Sequence, residues 1–420
     1  MKRYLLLVGS FVALTLTTFC QSLPSTIDRI ARQNNLIGGA VVVFCDSGIL
    51  QSHHFGIADL SNNRAVNENT LFRVASISKV ITAVAALQLV EQNLIQLDAD
   101  ISDHLGFSVR NPHYPEIPIT TRMLLSHTSS LQDGPTYPSF LDATLQEQPA
   151  PDLRDLLLPN NRFFHHEQYH TTQPGTYFQY SNLNYVIIGT LIERITGERF
   201  DHYCQQHIFQ PLQIKASFNV QELPTPSNLA VLYRKIDSNW IPQADHNPLI
   251  TAPPSDLTYY RLGTNAARLG PQGGLRISAI DLATIFRALL APSKNHPPLL
   301  NPSNTKELLS NQWTYQGTNG NTHEGLFLSW GLGVHRITST PGKDQVLPGS
   351  HAMIGHPGEA YGLVSDAYYD PKRKVGFIFI TNGSGSGYQT SLTSAFYTVE
   401  QEVFQAIEQF GGINSCENNH

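Results

Sequence analysis

The stretch Leu71-Phe-Arg-Val-Ala-Ser76-Ile-Ser-Lys79-Val-Ile-Thr-Ala-Val-Ala-Ala-Leu-Gln-Leu-Val90 decides how the rest of the chain is read. From Val80 onward it is apolar on almost every side, and a helix without a polar face is one buried in a core. Ser76 and Lys79 stand at its first turn. Residues at that spacing share a helix face, so the ammonium can reach the hydroxyl. The open N–H groups and partial positive charge of a helix N-terminus suit a developing anion. A lysine held among apolar groups sheds its proton more readily. It can then take the serine proton and turn the hydroxyl into a nucleophile. S-x-x-K alone is a short and common pattern, so its meaning depends on what the other segments supply.

With 420 residues the chain can bury a large core, and 41% apolar against 14% charged residues marks it as globular. A formal net charge of −6 and the lack of a basic run argue against a nucleic-acid partner. Lys2 and Arg3, the apolar run from Tyr4 to Leu16 and the following Thr17 to Ser22 have the layout of a secretory signal peptide. The expectation is a leader over 1–22 and a periplasmic or secreted protein. Cys20 raises lipoprotein anchoring, against which Phe19 stands, since a lipobox takes a small residue there. Cys45, Cys204 and Cys416 show no disulfide framework and no C-x-x-C, and Cys45 reads as a small buried hydrophobe.

Ser25 to Gln33 reads as a short helix, Gly38 to Cys45 as a buried strand, and Ile49 to Ile57 as its hairpin partner across Asp46-Ser47-Gly48. His53 and His54 are adjacent on that strand, so they point to opposite faces and make poor joint metal ligands. A mostly helical middle region runs from about 98 to 310. Helical spacing covers Asn182 to Ile208, and Ala279 to Leu290 forms a helix capped by Ser278. Residues 221–270 read as loops. Leu363–Tyr369 and Val375–Thr381 flank the Asp370-Pro371-Lys372-Arg373 turn as a hairpin, and Phe396, Val399, Val403, Ile407 and Phe410 make a helical stripe for packing on a sheet. The expected fold is α/β (α+β): an antiparallel sheet built from both termini and flanked by helices, with a helical lobe inserted. The domain spans 23–412, with one lobe from 23–97 and 311–412, the helical lobe at 98–310, and a tail at 413–420.

Two further segments carry chemistry. In Gln173-Pro-Gly-Thr-Tyr-Phe-Gln-Tyr180-Ser-Asn182, a tyrosine and an asparagine follow a Pro-Gly turn, and Tyr180 can shuttle a proton if a nearby ammonium lowers its pKa. In Ile354-Gly-His356-Pro-Gly358-Glu359-Ala-Tyr-Gly362, the glycines allow close approach to backbone and His356 offers a donor to an anion or a proton carrier. His127, in the loop Ser126-His-Thr-Ser-Ser130, reads either as a base or as a loop hydrogen-bonding group. His166-Glu-Gln-Tyr-His170 matches H-E-x-x-H, yet Pro159 and Pro174 confine any helix to about two turns, too little for a metalloprotease site. No metal and no cofactor is expected. No G-x-S-x-G elbow is present.

Taken in order, Ser76-Ile-Ser-Lys79, Tyr180-Ser-Asn182 and His356-Pro-Gly358 resemble the motifs of the serine penicillin-recognising enzymes: class C β-lactamases, D-Ala-D-Ala carboxypeptidases and related esterases and D-aminopeptidases. The flanks Phe72–Thr82, His127-Thr-Ser129, Pro174-Gly175 and Gly273-Gly-Leu275 agree, and the similarity covers about residues 24–410. The resemblance implies that Ser76 forms an acyl-enzyme, with Lys79 and Tyr180 sharing general-base and general-acid work. It implies that Asn182 bonds Lys79 and the substrate amide, that His356 and Gly358 line the substrate site, and that the N–H groups of Ser76 and Glu359 form the oxyanion hole. Class C β-lactamases carry lysine where His356 stands. The expectation is therefore a carboxypeptidase-like hydrolase or esterase acting on a small-molecule or peptide acyl substrate. A β-lactamase comes second and a non-catalytic binding paralogue third. Ser130, where glycine is common, and Glu359, an acid beside the hole, weigh against anionic acyl donors.

Overall fold

Strand β1 (Gly38–Cys45) is buried along its whole length because both of its faces are covered. Ala40, Val42 and Phe44 point to one side and join the core that contains the Ser76 helix, while Val41 and Val43 point to the other and join a second core. Period-two alternation splits the strand between the two layers. Each fully buried valine contributes about 1.5–3 kcal/mol. The structure is a computed structural model that describes residues 22–243, 257–294, 296–347 and 352–413. Residues 1–21 of the leader expected over 1–22, Cys20 among them, and Cys416 lie outside the described residues.

The remaining strands of the main sheet are β2 (Gly48–Asp59), β3 (Arg64–Ala65), β4 (Trp313–Thr314), β5 (Ser329–Trp330), β6 (His335–Arg336), β7 (Ile354–Ala360), β8 (Leu363–Asp370) and β9 (Val375–Thr381). Their order across the sheet is β3-β2-β1-β9-β8-β7-β6-β5-β4, and every neighbouring pair is antiparallel. Gly39 sits opposite Thr381 and Cys45 opposite Val375, so an N-terminal strand and a C-terminal one meet in the middle.

Helices α1 (Leu23–Gln33) and α5 (Thr398–Phe410) cover one face. Leu23, Ile27 and Ile30 from α1 and Val399, Val403 and Ile407 from α5 pack with Val364, Phe377 and Phe379 of the sheet. The opposite face receives α4 (Ala279–Leu290), and α2 (Ser78–Glu91) and α3 (Asn182–Thr196), which pack on each other, belong to the same core. Helix α2 has buried residues all round, including Ser78, Lys79 and Thr82. The expected Ser278 cap on α4 is present, accepting the Asp281 N–H at 3.0 Å.

Two expectations need correction. Residues 221–270 contain a hairpin, Tyr233–Ile236 with Asn239–Pro242, which the loop reading missed; its outer strand has no buried residue and thus no alternation to detect. The helical run expected over 182–208 breaks at Gly197, which takes φ +72 as the C-cap of α3, before a separate turn begins at Phe200.

Candidate active site

Ser76 lies in a single 3-10 turn, Ala75–Ile77, which feeds directly into α2. Ala75 adopts φ +45, a left-handed conformation costly for a residue with a Cβ. Its methyl is clamped by Leu232 and Leu363. The turn is stitched to the loop at 271–275. Val74 N–H donates to the Leu275 carbonyl at 3.1 Å, Leu275 N–H donates to Ser78 Oγ at 3.0 Å, and Thr82 Oγ donates to the Pro271 carbonyl at 2.7 Å. The serine is therefore held on a rigid base.

Lys79 is fully buried, and its Nζ has three oxygen neighbours: Ser76 Oγ at 3.0 Å, Asn182 Oδ1 at 2.8 Å and the Gln272 carbonyl at 2.6 Å. Burial pulls its pKa down to about 7, partly opposed by the Asp133 charge. In the neutral amine, two N–H bonds serve Asn182 and Gln272, and the lone pair is left for the Ser76 hydroxyl proton. Both protonation states are thus accommodated without an orphaned group.

Tyr180 reaches the same serine, and its ring sits 5.0 Å from Lys79 Nζ. Its pKa does not fall as anticipated from the nearby ammonium. Burial raises it, and the bond to Ser76 only partly offsets that. The phenol is therefore neutral near pH 7. The ring is fixed by stacking on His127 at 4.4 Å and on Phe327 at 5.3 Å.

His127 is a scaffold residue. Its Nδ1 accepts the Ser181 N–H at 3.1 Å, and burial holds its pKa well below the usual histidine value. Of its two readings, loop hydrogen bonding holds and the base does not. The H-E-x-x-H segment folds as a three-residue 3-10 turn, His166–Gln168, and the His170 ring stacks on Tyr177.

Sequence reasoning missed Asp133. Its carboxylate caps α3, accepting Ser181 Oγ–H at 3.0 Å, Leu183 N–H at 2.9 Å and Asn182 N–H at 3.2 Å. It also accepts Asn182 Nδ2–H at 2.8 Å, which fixes the amide so that Oδ1 faces Lys79. The residue follows the His127 loop directly, but no spacing rule joins it to a helix 49 positions away in sequence.

Strand β7 supplies the opposite wall. Beyond Gly355 its outer edge is unpaired by β6. Val364 of β8 turns its N–H and carbonyl to the Thr381 hydroxyl. Its opposite number, Glu359, therefore belongs to a non-hydrogen-bonded pair and directs its own N–H to the open edge. Gly358 lies so close to the Ser76 turn that an added Cβ would stand 2.7 Å from the Val74 carbonyl and 3.3 Å from the Ser76 nitrogen. Only glycine lets β7 come this close to the Ser76 turn. Ser365 Oγ, within 3.1 Å of the Val74 carbonyl and 3.3 Å of the Gly358 carbonyl, fastens the two segments.

His356 departs from its anticipated role. It is fully buried, and its Nδ1 is 2.5 Å from the Pro357 carbonyl, so the proton resides there. Burial and the Lys79 charge hold its pKa far below the ordinary value. The ring is neutral and spends its one N–H inward, leaving none to offer an anionic substrate.

Ser76, Tyr180, Asn182, His356, Gly358 and Glu359 line one cleft of about 600 Å³. A hydroxyl, a lowered-pKa amine, a phenol and two backbone donors at one site can support attack on a carbonyl and stabilise the resulting oxyanion.

The chain belongs to the Beta-lactamase family, whose profile matches residues 23–395. It is 32% identical over 200 residues to the esterase EstB of Burkholderia gladioli, covering 46% of this chain and 50% of that protein. It is 28% identical over 189 residues to penicillin-binding protein 4* of Bacillus subtilis, covering 44% and 39%. The match thus spans half or less of the length of these relatives. Among solved structures, a β-lactamase/D-alanine carboxypeptidase from Pseudomonas syringae superposes with a TM-score of 0.65 over 92% of this chain and 98% of that one, at 18% identity, a likeness of fold.

Proposed function

We propose that the protein is a serine acyl hydrolase that works through an acyl-enzyme on Ser76, with esterase or carboxypeptidase-like activity. The observation that carries this is the Lys79 environment: an amine with a pKa near 7, two N–H bonds spoken for, and the third direction on Ser76 Oγ. Lys79 takes the Ser76 proton as the oxygen adds to the substrate carbonyl. The oxyanion is met by the N–H groups of Ser76 and Glu359. The proton then passes from Lys79, with the neutral Tyr180 hydroxyl as relay, to the leaving oxygen or nitrogen as its bond to the acyl carbon breaks. Water adds to the acyl-enzyme by the same route and frees the serine.

Within this reading the esterase stands ahead of the carboxypeptidase. A carboxypeptidase substrate carries a terminal carboxylate, whereas His356 offers no proton to the cleft. The EstB relative is named an esterase. A β-lactamase, whose substrates also bear a carboxylate, ranks below both for the same reason. The layout of residues 1–22 supports export to the periplasm or medium, which cell fractionation would test. The deciding experiment is covalent labelling with a neutral fluorophosphonate, followed by mass mapping. Modification at Ser76, lost in Ser76→Ala, is expected; labelling that survives this substitution overturns the assignment.

A further inference from the structure

Away from Ser76, a cavity of about 610 Å³ opens between the C-terminal end of α4 and the helix Pro302–Leu309. That is the size of an ordinary small-molecule site. Its walls are Leu289, Leu290, Leu300 and Leu309 with Pro292 and Pro298. Leu289 and Leu300 are buried, while Leu290 and Leu309 are half-buried against the same core that holds α2. Proline has no N–H, so those parts of the wall offer water no backbone donor.

Pro302, Thr305, Lys306 and Leu309 all face the cavity. Their spacing of i, i+3, i+4 and i+7 makes them one side of the helix. Among the described residues Lys306 is the one charged member of the lining, and its ammonium has neither a hydrogen bond nor an ion pair. The carboxylates around it are engaged elsewhere. Glu307 receives Arg122 Nη1 at 2.5 Å, and Glu91 Oε1 accepts the Asn301 N–H at 2.6 Å. A single uncompensated cation beside leucine and proline calls for a ligand with one anionic end and an alkyl body.

We propose that this cavity binds a free single-chain fatty acid of medium length, its carboxylate on Lys306 and its chain along the leucine and proline wall. One lysine matches one carboxylate, whereas a membrane surface is met by a cluster of cations. The proposal does not depend on the chemistry at Ser76, because no residue lining this cavity also lines the catalytic cleft.

The test follows the fluorescence of bound dansyl-undecanoate and its displacement by octanoate, decanoate and decanol, at pH 7 and below micellar concentrations. Each added methylene of the acid should tighten binding about two- to fourfold. Decanoate should bind about two- to fivefold tighter than decanol, the worth of an exposed ion pair. Lys306→Gln should erase that acid–alcohol difference and leave the methylene increment in place. Thr305→Trp, which puts an indole into the cavity from a half-buried position, should block every ligand. Photo-cross-linking with a diazirine-bearing decanoate locates the ligand without any substitution, and the adducts should fall within residues 289–310. An absence of saturable binding, an acid–alcohol difference that is missing or survives Lys306→Gln, or adducts at the Ser76 cleft overturns the inference. So does a protein that sediments as a dimer and takes up no fatty acid, which assigns the cavity to a second copy, or one that binds only phosphatidylglycerol vesicles.

Discussion

One Asp133 oxygen, Oδ2, accepts both the backbone N–H and the side-chain Nδ2–H of Asn182, at 3.2 and 2.8 Å. The same carboxylate that caps α3 thereby aims the Asn182 carbonyl at Lys79. Asp133→Ala removes a helix cap, costing about 1–2 kcal/mol. It also removes the charge that holds up the Lys79 pKa. The acid limb of the pH–rate profile should move to lower pH, together with a several-fold fall in kcat. An unmoved limb in a variant that melts normally would refute this coupling.

Lys79 acts as a base only when neutral. With its pKa lowered to about 7, acylation should rise as pH increases through that value and level off above it. Stopped-flow labelling from pH 5 to 9 reads this directly. Lys79→Arg keeps a cation that does not deprotonate in this range. It should lower the acylation rate by about 100- to 10,000-fold and abolish the limb. A limb that persists in the variant assigns the titration to another group.

Gly358 is a steric fuse between β7 and the Ser76 turn. In Gly358→Ala the methyl would meet Ser365 Oγ at 2.3 Å and the Val74 carbonyl at 2.7 Å. Overpacking of this kind costs about 1–3 kcal/mol. Separation of the two oxyanion donors should slow turnover by about 100-fold or more, as loss of one donor does. Wild-type kinetics in Gly358→Ala would mean that the strand does not supply the second donor.

Asp366 and Glu400 form a buried carboxyl pair whose pKa values burial raises; the Glu400 charge raises Asp366 further, while Glu400 rises to about 8 although the hydrogen bond from Asp366 opposes it. The native pKa values lie above the unfolded ones, so the fold retains protons that the unfolded chain has released. Stability from this pair is fully present below the ordinary carboxyl range and is lost as pH rises toward 8. The melting temperature should therefore drop between pH 5 and pH 8.5. Asp366→Asn, which donates an N–H to Glu400 without an added charge, should flatten that slope. Parallel slopes for the two proteins would remove the pair from the account.

The Ser76–Lys79 contact was legible because the two residues are local: their spacing on one turn survives any change in the rest of the fold. The sandwiching of β1 was legible for a similar reason, since an unbroken apolar run such as Ala40–Cys45 has only a buried destination. Asn182 and Gly358 came from likeness to a known family, because contacts spanning 103 residues, as between Lys79 and Asn182, leave no periodic trace. Asp133 and the Asp366–Glu400 pair left none at all. The burial of His356 was not legible, because nothing in the local run Gly-His-Pro-Gly tells which distant rings close over the imidazole. In the fold it is part of β7, fully buried, with its ring 5.3 Å from that of Trp330 and 6.0 Å from that of Tyr180.

The pairing of β1 with β9 has a temporal consequence. During synthesis β1 leaves the ribosome more than three hundred residues ahead of the strand it must lie beside. Until then it presents a bare, valine-rich edge, which is a template for association with other chains. Such distant pairing folds slowly, since loop closure precedes any reward. Nascent chains halted before Val375 should therefore bind a holdase chaperone, and release should coincide with emergence of that last strand.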